Sequence, residues 1–140
     1  MNTLVQNELD ILHETTNIRH ELLSILTDAD LAYKLPGNNP SLGAICREMG
    51  QVEQSYTDSF KTLKQDFVYA PAAPALETSV QALKDWFAQL DGELEAALSA
   101  LTEEQVQSAT IDRGWPVPIR TQFHIYREAL LIFYAKAVCY

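Results

Sequence analysis

Apolar side chains recur at three- and four-residue steps over four long segments, and this spacing restricts what the chain can fold into. Residues 3–26 and 76–101 carry such stripes, and another segment runs from Thr121 to the C-terminus. The pattern is clearest in the remaining segment, whose stripe holds Leu42, Ile45, Met49, Val52, Tyr56, Phe60, Leu63 and Phe67. Such spacing places apolar groups on one face of an α-helix. The sequence therefore predicts an all-α protein, folded as an antiparallel four-helix bundle.

Proline and capping residues mark the ends of these helices. Asn39, which precedes a proline, is a suitable N-cap for the second helix, and Thr121 for the fourth. Two prolines in residues 68–76 break the helical pattern between the second and third helices. Residues 111–119 indicate an extended, turn-rich loop. The length suits one domain with one core, so residues 1–140 are predicted to form a single domain.

The formal net charge of -9 argues against partners whose recognition needs an excess of Lys and Arg. Nucleic acids and anionic membrane surfaces are such partners. The longest apolar run, residues 129–135, is far shorter than the roughly 20 residues that cross a bilayer, and the first residues lack the apolar region of a signal peptide. Cys46 and Cys139 form neither a metal-binding spacing nor a disulfide framework. We therefore expect a cytoplasmic protein with reduced thiols.

The motifs LTDADL and SLG within residues 26–56, and REALLIFYAKA at residues 127–137, resemble those of the DinB/YfiT-like superfamily of small bacterial four-helix bundles. In residues 26–56, LTDADL and then SLG are similar to the superfamily's L-[ST]-x-[DE]-x-L turn and its helix-opening S-[IL]-[GA]. Residues 127–137, REALLIFYAKA, resemble its last helix. The resemblance implies an up-down-down-up helix order and, in many members, a homodimer. It also implies a divalent metal held by three histidines, in relatives that include thiol-dependent transferases and isomerases.

The chain departs from the superfamily pattern at the metal ligands that the resemblance implies. Glu48 stands at the first ligand position, Arg127 at the second and Leu131 at the third. Leucine binds no metal, and arginine stays cationic. We therefore interpret the site as degenerate, and expect a small-molecule-binding or structural protein without a cofactor.

Arg127 lies near the apolar line of the last helix, where a guanidinium needs a carboxylate partner. Glu48, on one flank of the second helix's stripe, is the first candidate, and Glu53, on the other flank, is the substitute. One interpretation is a structural ion pair at the place where relatives hold a metal. Another is a pocket in which Arg127 binds an anionic small molecule.

A metal-dependent enzyme is the alternative to both. His124 and Glu128 are four residues apart on one helix face, and Glu48 would complete a site of one histidine and two carboxylates. Zinc, nickel, manganese or iron would accept these ligands. Water on such a metal would be acidified and could attack an electrophile, as in a thiol transferase or a hydrolase.

The last helix carries apolar side chains on several faces, among them Ile125, Ala129 and Ile132. A helix that is apolar all round is buried all round, and one bundle covers only part of it. Gly43 and Gly50, on the non-core face of the second helix, would allow a second backbone to approach closely. These features predict a homodimer with twofold symmetry.

Overall fold

The computed structural model describes all 140 residues and is mostly helical, with one small antiparallel sheet. This agrees with the predicted all-α class, and the sheet lies in the segment predicted to be an extended loop. Turns of 3-10 helix at Asp28–Ala32 and Pro74–Glu77 precede the second and third long helices. In chain order the helices and strands are α1 (Thr3–Ser24), α2 (Leu42–Thr62), α3 (Val80–Ala100), α4 (Glu103–Ser108), β1 (Thr110–Asp112), β2 (Pro116–Pro118) and α5 (Ile119–Val138).

The N-caps of two helices differ from the sequence prediction. Ser41 Oγ accepts a hydrogen bond from the Ala44 amide at 3.0 Å, so Ser41 rather than Asn39 caps α2. Helix α5 begins at Ile119, ahead of the predicted cap Thr121, because β2 leads directly into it. Both differences move a helix boundary by a few residues and leave the predicted helices in place.

The four long helices pack in pairs around a common core: α1 and α2 each contact both α3 and α5. Glu8, near the start of α1, pairs with Arg120 at the start of α5 at 3.1 Å, so these helices run in the same direction. The side-chain amide of Asn2 donates to the Leu98 carbonyl at 2.9 Å, which sets the start of α1 against the end of α3. Buried apolar side chains of all five helices and β1 form one cluster. None of the helices combines the length and the apolar character needed to cross a membrane.

Two glycines of α2 bring this helix close to α3, in parallel with it. A Cβ at Gly43 would lie 2.0 Å from the carbonyl oxygen of Glu77, and a Cβ at Gly50 would lie 2.2 Å from the ring of Trp86. Both glycines are buried within the chain. The prediction that they face a partner subunit is therefore wrong, because α3 and the turn before it already occupy that face.

A buried glutamine on α5 connects the turn between β1 and β2 to the end of α2. The side-chain amide of Gln122 on α5 donates to Ser59 Oγ at 3.0 Å and to Gln65 Oε1 at 2.8 Å. Its oxygen accepts from Arg113 Nη1 at 2.9 Å, and Arg113 belongs to the turn between β1 and β2. This network sets the start of α5 against the end of α2, so these helices run in opposite directions.

The close contact at Gly43 provides a test of the α2–α3 packing. Gly43→Ala should lower the free energy of unfolding by about 1–3 kcal/mol, because the added methyl group meets backbone rather than a movable side chain. The matched control is Gly92→Ala on α3, where nothing lies within 4 Å of the added Cβ. That variant should gain about 0.5–1 kcal/mol from helix propensity. Urea unfolding measures both, and equal effects at the two positions would contradict the packing.

Candidate functional site

A buried ion cluster lies where α1, α2 and α3 meet. The Arg19 side chain is 2% exposed, and its Nη1 donates to Oε2 of the fully buried Glu53 at 2.7 Å. Its Nη2 donates to Oδ1 of Asp91, a side chain that is 25% exposed. The second oxygen of Asp91 contacts Nε2 of His20 at 3.2 Å. Each of the three helices therefore contributes at least one charged side chain to a single cluster.

The position of Arg19 on α1 explains its burial. Leu12, Thr16, Arg19 and Leu23 are all buried at three- and four-residue steps, so Arg19 occupies a core position of the helix. Removing a charge from water is costly unless it is paired and hydrogen-bonded. The two carboxylates provide that pairing, and the guanidinium also lies over the ring of Phe87, 4.1 Å from its centroid.

Two carboxylates share one guanidinium, and this affects the protonation of Glu53. Burial raises the pKa of Glu53 to about 8; Arg19 opposes the shift, and the charge of Asp91 adds to it. Glu53 Oε1 has no hydrogen-bond partner, so only the other oxygen of this carboxyl group is engaged, by Arg19. A raised pKa favours the neutral form of Glu53, and in that form the charges of Arg19 and Asp91 balance.

Two tyrosines of α5 lie beside the cluster. Burial is the main cause that raises the pKa of both Tyr126 and Tyr134, and the charge of Glu53 adds to it. Both hydroxyl groups therefore stay protonated. The Tyr134 hydroxyl donates to the Thr15 carbonyl at 2.8 Å, whereas the Tyr126 hydroxyl is buried without a partner.

A cavity of about 710 Å³ opens beside this cluster. It lies between the C-terminal ends of α1 and α5, the first half of α2 and the 3-10 turn Asp28–Ala32, with Phe87 of α3 on its wall. Seventeen residues line it and fifteen of them are hydrophobic; the two exceptions are Arg19 and Asp30. The volume and the apolar wall are those of a site for a small organic molecule.

Cys46 also lines the cavity. Burial raises the pKa of its thiol to about 11, against a smaller opposing effect of the Arg19 charge. A thiol with such a pKa carries little thiolate at neutral pH, and the thiolate is the nucleophilic form. Cys46 therefore acts as an apolar wall residue, as its small size and burial suggest.

The predicted ion pair between Glu48 and Arg127 does not form. Glu48 is exposed on α2, and Arg127 Nε donates to Thr15 Oγ1 at 3.0 Å. Glu53, the predicted substitute partner of Arg127, pairs with Arg19 instead. Of the three predicted pocket residues, the structure places only Glu53 in the ion cluster, and none of the three lines the apolar cavity.

The residues of the alternative metal site are not brought together either. The nearest carboxylate to the His124 ring is Glu8 of α1, at 3.9 Å, and both Glu48 and Glu128 are exposed. No group of three or more His, Cys, Asp or Glu side chains is arranged to hold a metal ion. The ligand set that the superfamily resemblance implies therefore does not fit this chain.

Sequence reasoning misses Arg19 and Asp91. The signal for Arg19 is a charged residue at a core step of an amphipathic helix, flanked by Thr16 and Leu23. No comparable signal exists for Asp91, which lies among other exposed and half-buried acidic residues of α3.

Comparisons with protein-family models, with curated proteins and with solved structures find no match to this chain.

The raised pKa of Glu53 predicts a particular dependence of stability on pH. The unfolded chain releases the Glu53 proton near pH 4.5, whereas the folded protein holds it to about pH 8. The bound proton therefore stabilises the folded state fully below pH 4.5, the pKa in the unfolded chain. As the pH rises from there towards about 8, the pKa in the folded protein, the free energy of unfolding falls by about 1.4 kcal/mol per pH unit.

Glu53→Gln should remove this contribution, so its unfolding free energy should fall less steeply than that of the wild type between these pH values. Urea unfolding at about pH 5.5, 6.5 and 7.5 measures the difference. The control is Glu48→Gln, on the same helix but exposed, whose pH profile should run parallel to that of the wild type. A parallel profile for Glu53→Gln would show that Glu53 is ionised in the folded protein.

Proposed function

We propose that this chain is a DinB/YfiT-like antiparallel four-helix bundle with up-down-down-up order that binds a small, mostly apolar molecule without superfamily-type metal chemistry. The helix directions support the bundle order: α1 and α5 run one way, and α2 and α3 run the other. The unassembled ligand set, with Glu48 and Glu128 exposed, supports the loss of the metal site.

The observation that carries the binding proposal is the cavity of about 710 Å³ beside Arg19. The side chains that line the cavity are mainly apolar, and several of them, such as Ile25 and Val138, are exposed to water. An apolar ligand would cover this surface and remove its own surface from water.

Filling the cavity tests the proposal. Wild-type protein should bind a neutral apolar dye such as N-phenylnaphthylamine, and Ala137→Trp should weaken that binding at least about tenfold, because the indole occupies the space of the ligand. Ala129→Trp is the matched control: Ala129 lies on the same helix, is also half-buried against the core, and does not line the cavity. Dye fluorescence titration measures both variants. Equal losses, or a wild type that binds no dye, would refute the proposal.

We also propose that the protein forms a homodimer through α1 and α5. Ile11, Ile18 and Ile25 recur at seven-residue steps on α1 and its C-terminal end, and all three are exposed. Leu131 and Ile132 are exposed on the neighbouring α5. Exposed apolar side chains gathered on one pair of helices indicate a surface that another subunit covers.

Charge placed on this surface should separate the subunits. Light scattering should give wild-type protein twice the mass of one chain and Ile18→Glu the mass of one chain. The substitution should prevent the dimer because the interface would remove the new carboxylate from water. Val68→Glu is the control, since Val68 is an exposed apolar residue in the loop between α2 and α3. Size-exclusion chromatography with light scattering at micromolar concentration reads the result. A monomeric wild type would overturn the homodimer.

A further inference from the structure

The cavity of about 710 Å³ is open to water near the C-terminal ends of α1 and α5. Two of its lining residues are well exposed there: Ile25, which directly follows α1, is 77% exposed, and Val138, the last residue of α5, is 67% exposed. Ile25 and Val138 together form the mouth of the cavity. Proteins usually bury most of the surface of a small ligand. Within one chain, a ligand in this cavity would keep part of its surface in water at the mouth.

A row of exposed apolar side chains leads along each helix to the mouth. On α1, Ile11 and Ile18 precede Ile25 at seven-residue steps. On α5, Leu131 precedes Val138 by seven residues. Seven residues are close to two turns of an α-helix, so each row keeps to one face of its helix. Both rows therefore end at residues that line the same cavity.

The two rows are neighbours. Arg127 Nε on α5 donates to Thr15 Oγ1 on α1 at 3.0 Å, which marks where these helices face each other. Ile11 and Ile18 lie about one helical turn before and after Thr15. Leu131 lies about one turn after Arg127. Because α1 and α5 also run in the same direction, the two rows lie on the same side of the molecule and meet at the mouth.

The charges of the chain favour a second copy as the partner of this side. The chain carries nineteen Asp and Glu against ten Lys and Arg, so most surfaces of two copies repel each other. Residues 129–140, which include the α5 row, contain no Asp or Glu and a single Lys. A twofold contact brings the same surface of both copies together, and a largely uncharged apolar surface meets itself with little like-charge repulsion.

We infer that a second copy of the chain covers the mouth of the cavity, so that ligand binding and dimer formation strengthen each other. The inference rests on the proposed binding function and the proposed homodimer, and it specifies how the binding site is regulated. In the dimer, the second subunit covers Ile25, Val138 and the ligand surface that one chain leaves in water. A ligand that gains these contacts only in the dimer binds the dimer more tightly than the monomer, and in turn it stabilises the dimer.

Wild-type protein tests the coupling directly. Sedimentation velocity over protein concentrations from nanomolar to micromolar gives the dimer dissociation constant, without dye and with saturating N-phenylnaphthylamine. The dye should lower that constant at least about tenfold, which is within the range typical of coupling between two sites. An unchanged constant would contradict the inference. If the dimer does not dissociate over this range, the variants below decide.

Ile18→Glu and Leu131→Glu test the coupling from the side of the dimer. Both residues belong to the exposed rows, and neither lines the cavity. Each variant should be monomeric and should bind the dye at least about tenfold more weakly than the wild-type dimer, because it loses the subunit that covers the mouth. Val68→Glu, the control in the loop between α2 and α3, should bind the dye as the wild type does.

Circular dichroism establishes that the variants are folded, and if neither folds, the wild-type series decides. Equal losses in the two variants are expected, since they lie on different helices and act through the same lost subunit. A folded, monomeric variant that binds the dye as tightly as the wild-type dimer would refute the coupling.

The outcomes separate this inference from the proposed function. If wild-type protein is a dimer and binds the dye, but neither measurement shows coupling, this inference alone fails, and the loss of dye binding in Ala137→Trp still supports the cavity. If wild-type protein binds no dye, the proposed binding function and this inference fail together. If it stays monomeric at micromolar concentration with the dye present, the homodimer and this inference fail, while dye binding still supports the cavity.

Discussion

A guanidinium buried among three helices is the constraint on which the rest of this structure depends. Arg19 comes from α1, Glu53 from α2 and Asp91 from α3, and each contact is short and directional. Apolar contacts tolerate sliding and rotation of a helix, but a buried charge without its partner is strongly destabilising. The cluster therefore fixes the rotation of α1, α2 and α3 about their own axes. The two carboxyl groups have different surroundings, since Glu53 is fully buried and Asp91 is partly exposed. The deeper burial of Glu53 is the main cause that raises its pKa.

The same cluster forms part of the cavity wall. Most of the lining is apolar, and the guanidinium of Arg19, paired with Glu53 and Asp91, exposes almost no surface. A ligand would therefore be held mainly by apolar contacts, which are non-directional. The thiol of Cys46, whose pKa burial raises, and the engaged hydroxyl of Tyr134 add no strong polar contact.

One face of α2 packs closely against α3, whereas apolar side chains of α1 and α5 are exposed. Gly43 and Gly50 are covered by α3 and the turn before it, so that face of α2 is closed to any partner. Ile11 and Ile18 of α1, and Leu131 and Ile132 of α5, remain exposed. The proposed subunit contact therefore involves α1 and α5, not the glycine face of α2 that the sequence indicated.

The sequence by itself determined the helices, because apolar spacing of three and four residues is a local property that burial of one face enforces. The same spacing placed Glu53 on a flank of the apolar stripe, where it was expected only as the substitute partner of Arg127. Only the tertiary structure decided which charges meet. Glu48 and Glu53 are five residues apart, hence about 140 degrees apart around the axis of α2, so both cannot face the core. A resemblance of motif favoured Glu48, whereas the rotation of the helix buries Glu53. The partner of Glu53 lies on α1, 34 positions away in the chain, and no local pattern specifies that contact. The contact between Arg19 and Glu53 depends on how whole helices pack, because packing determines which opposite charge lies within hydrogen-bond distance of a buried one.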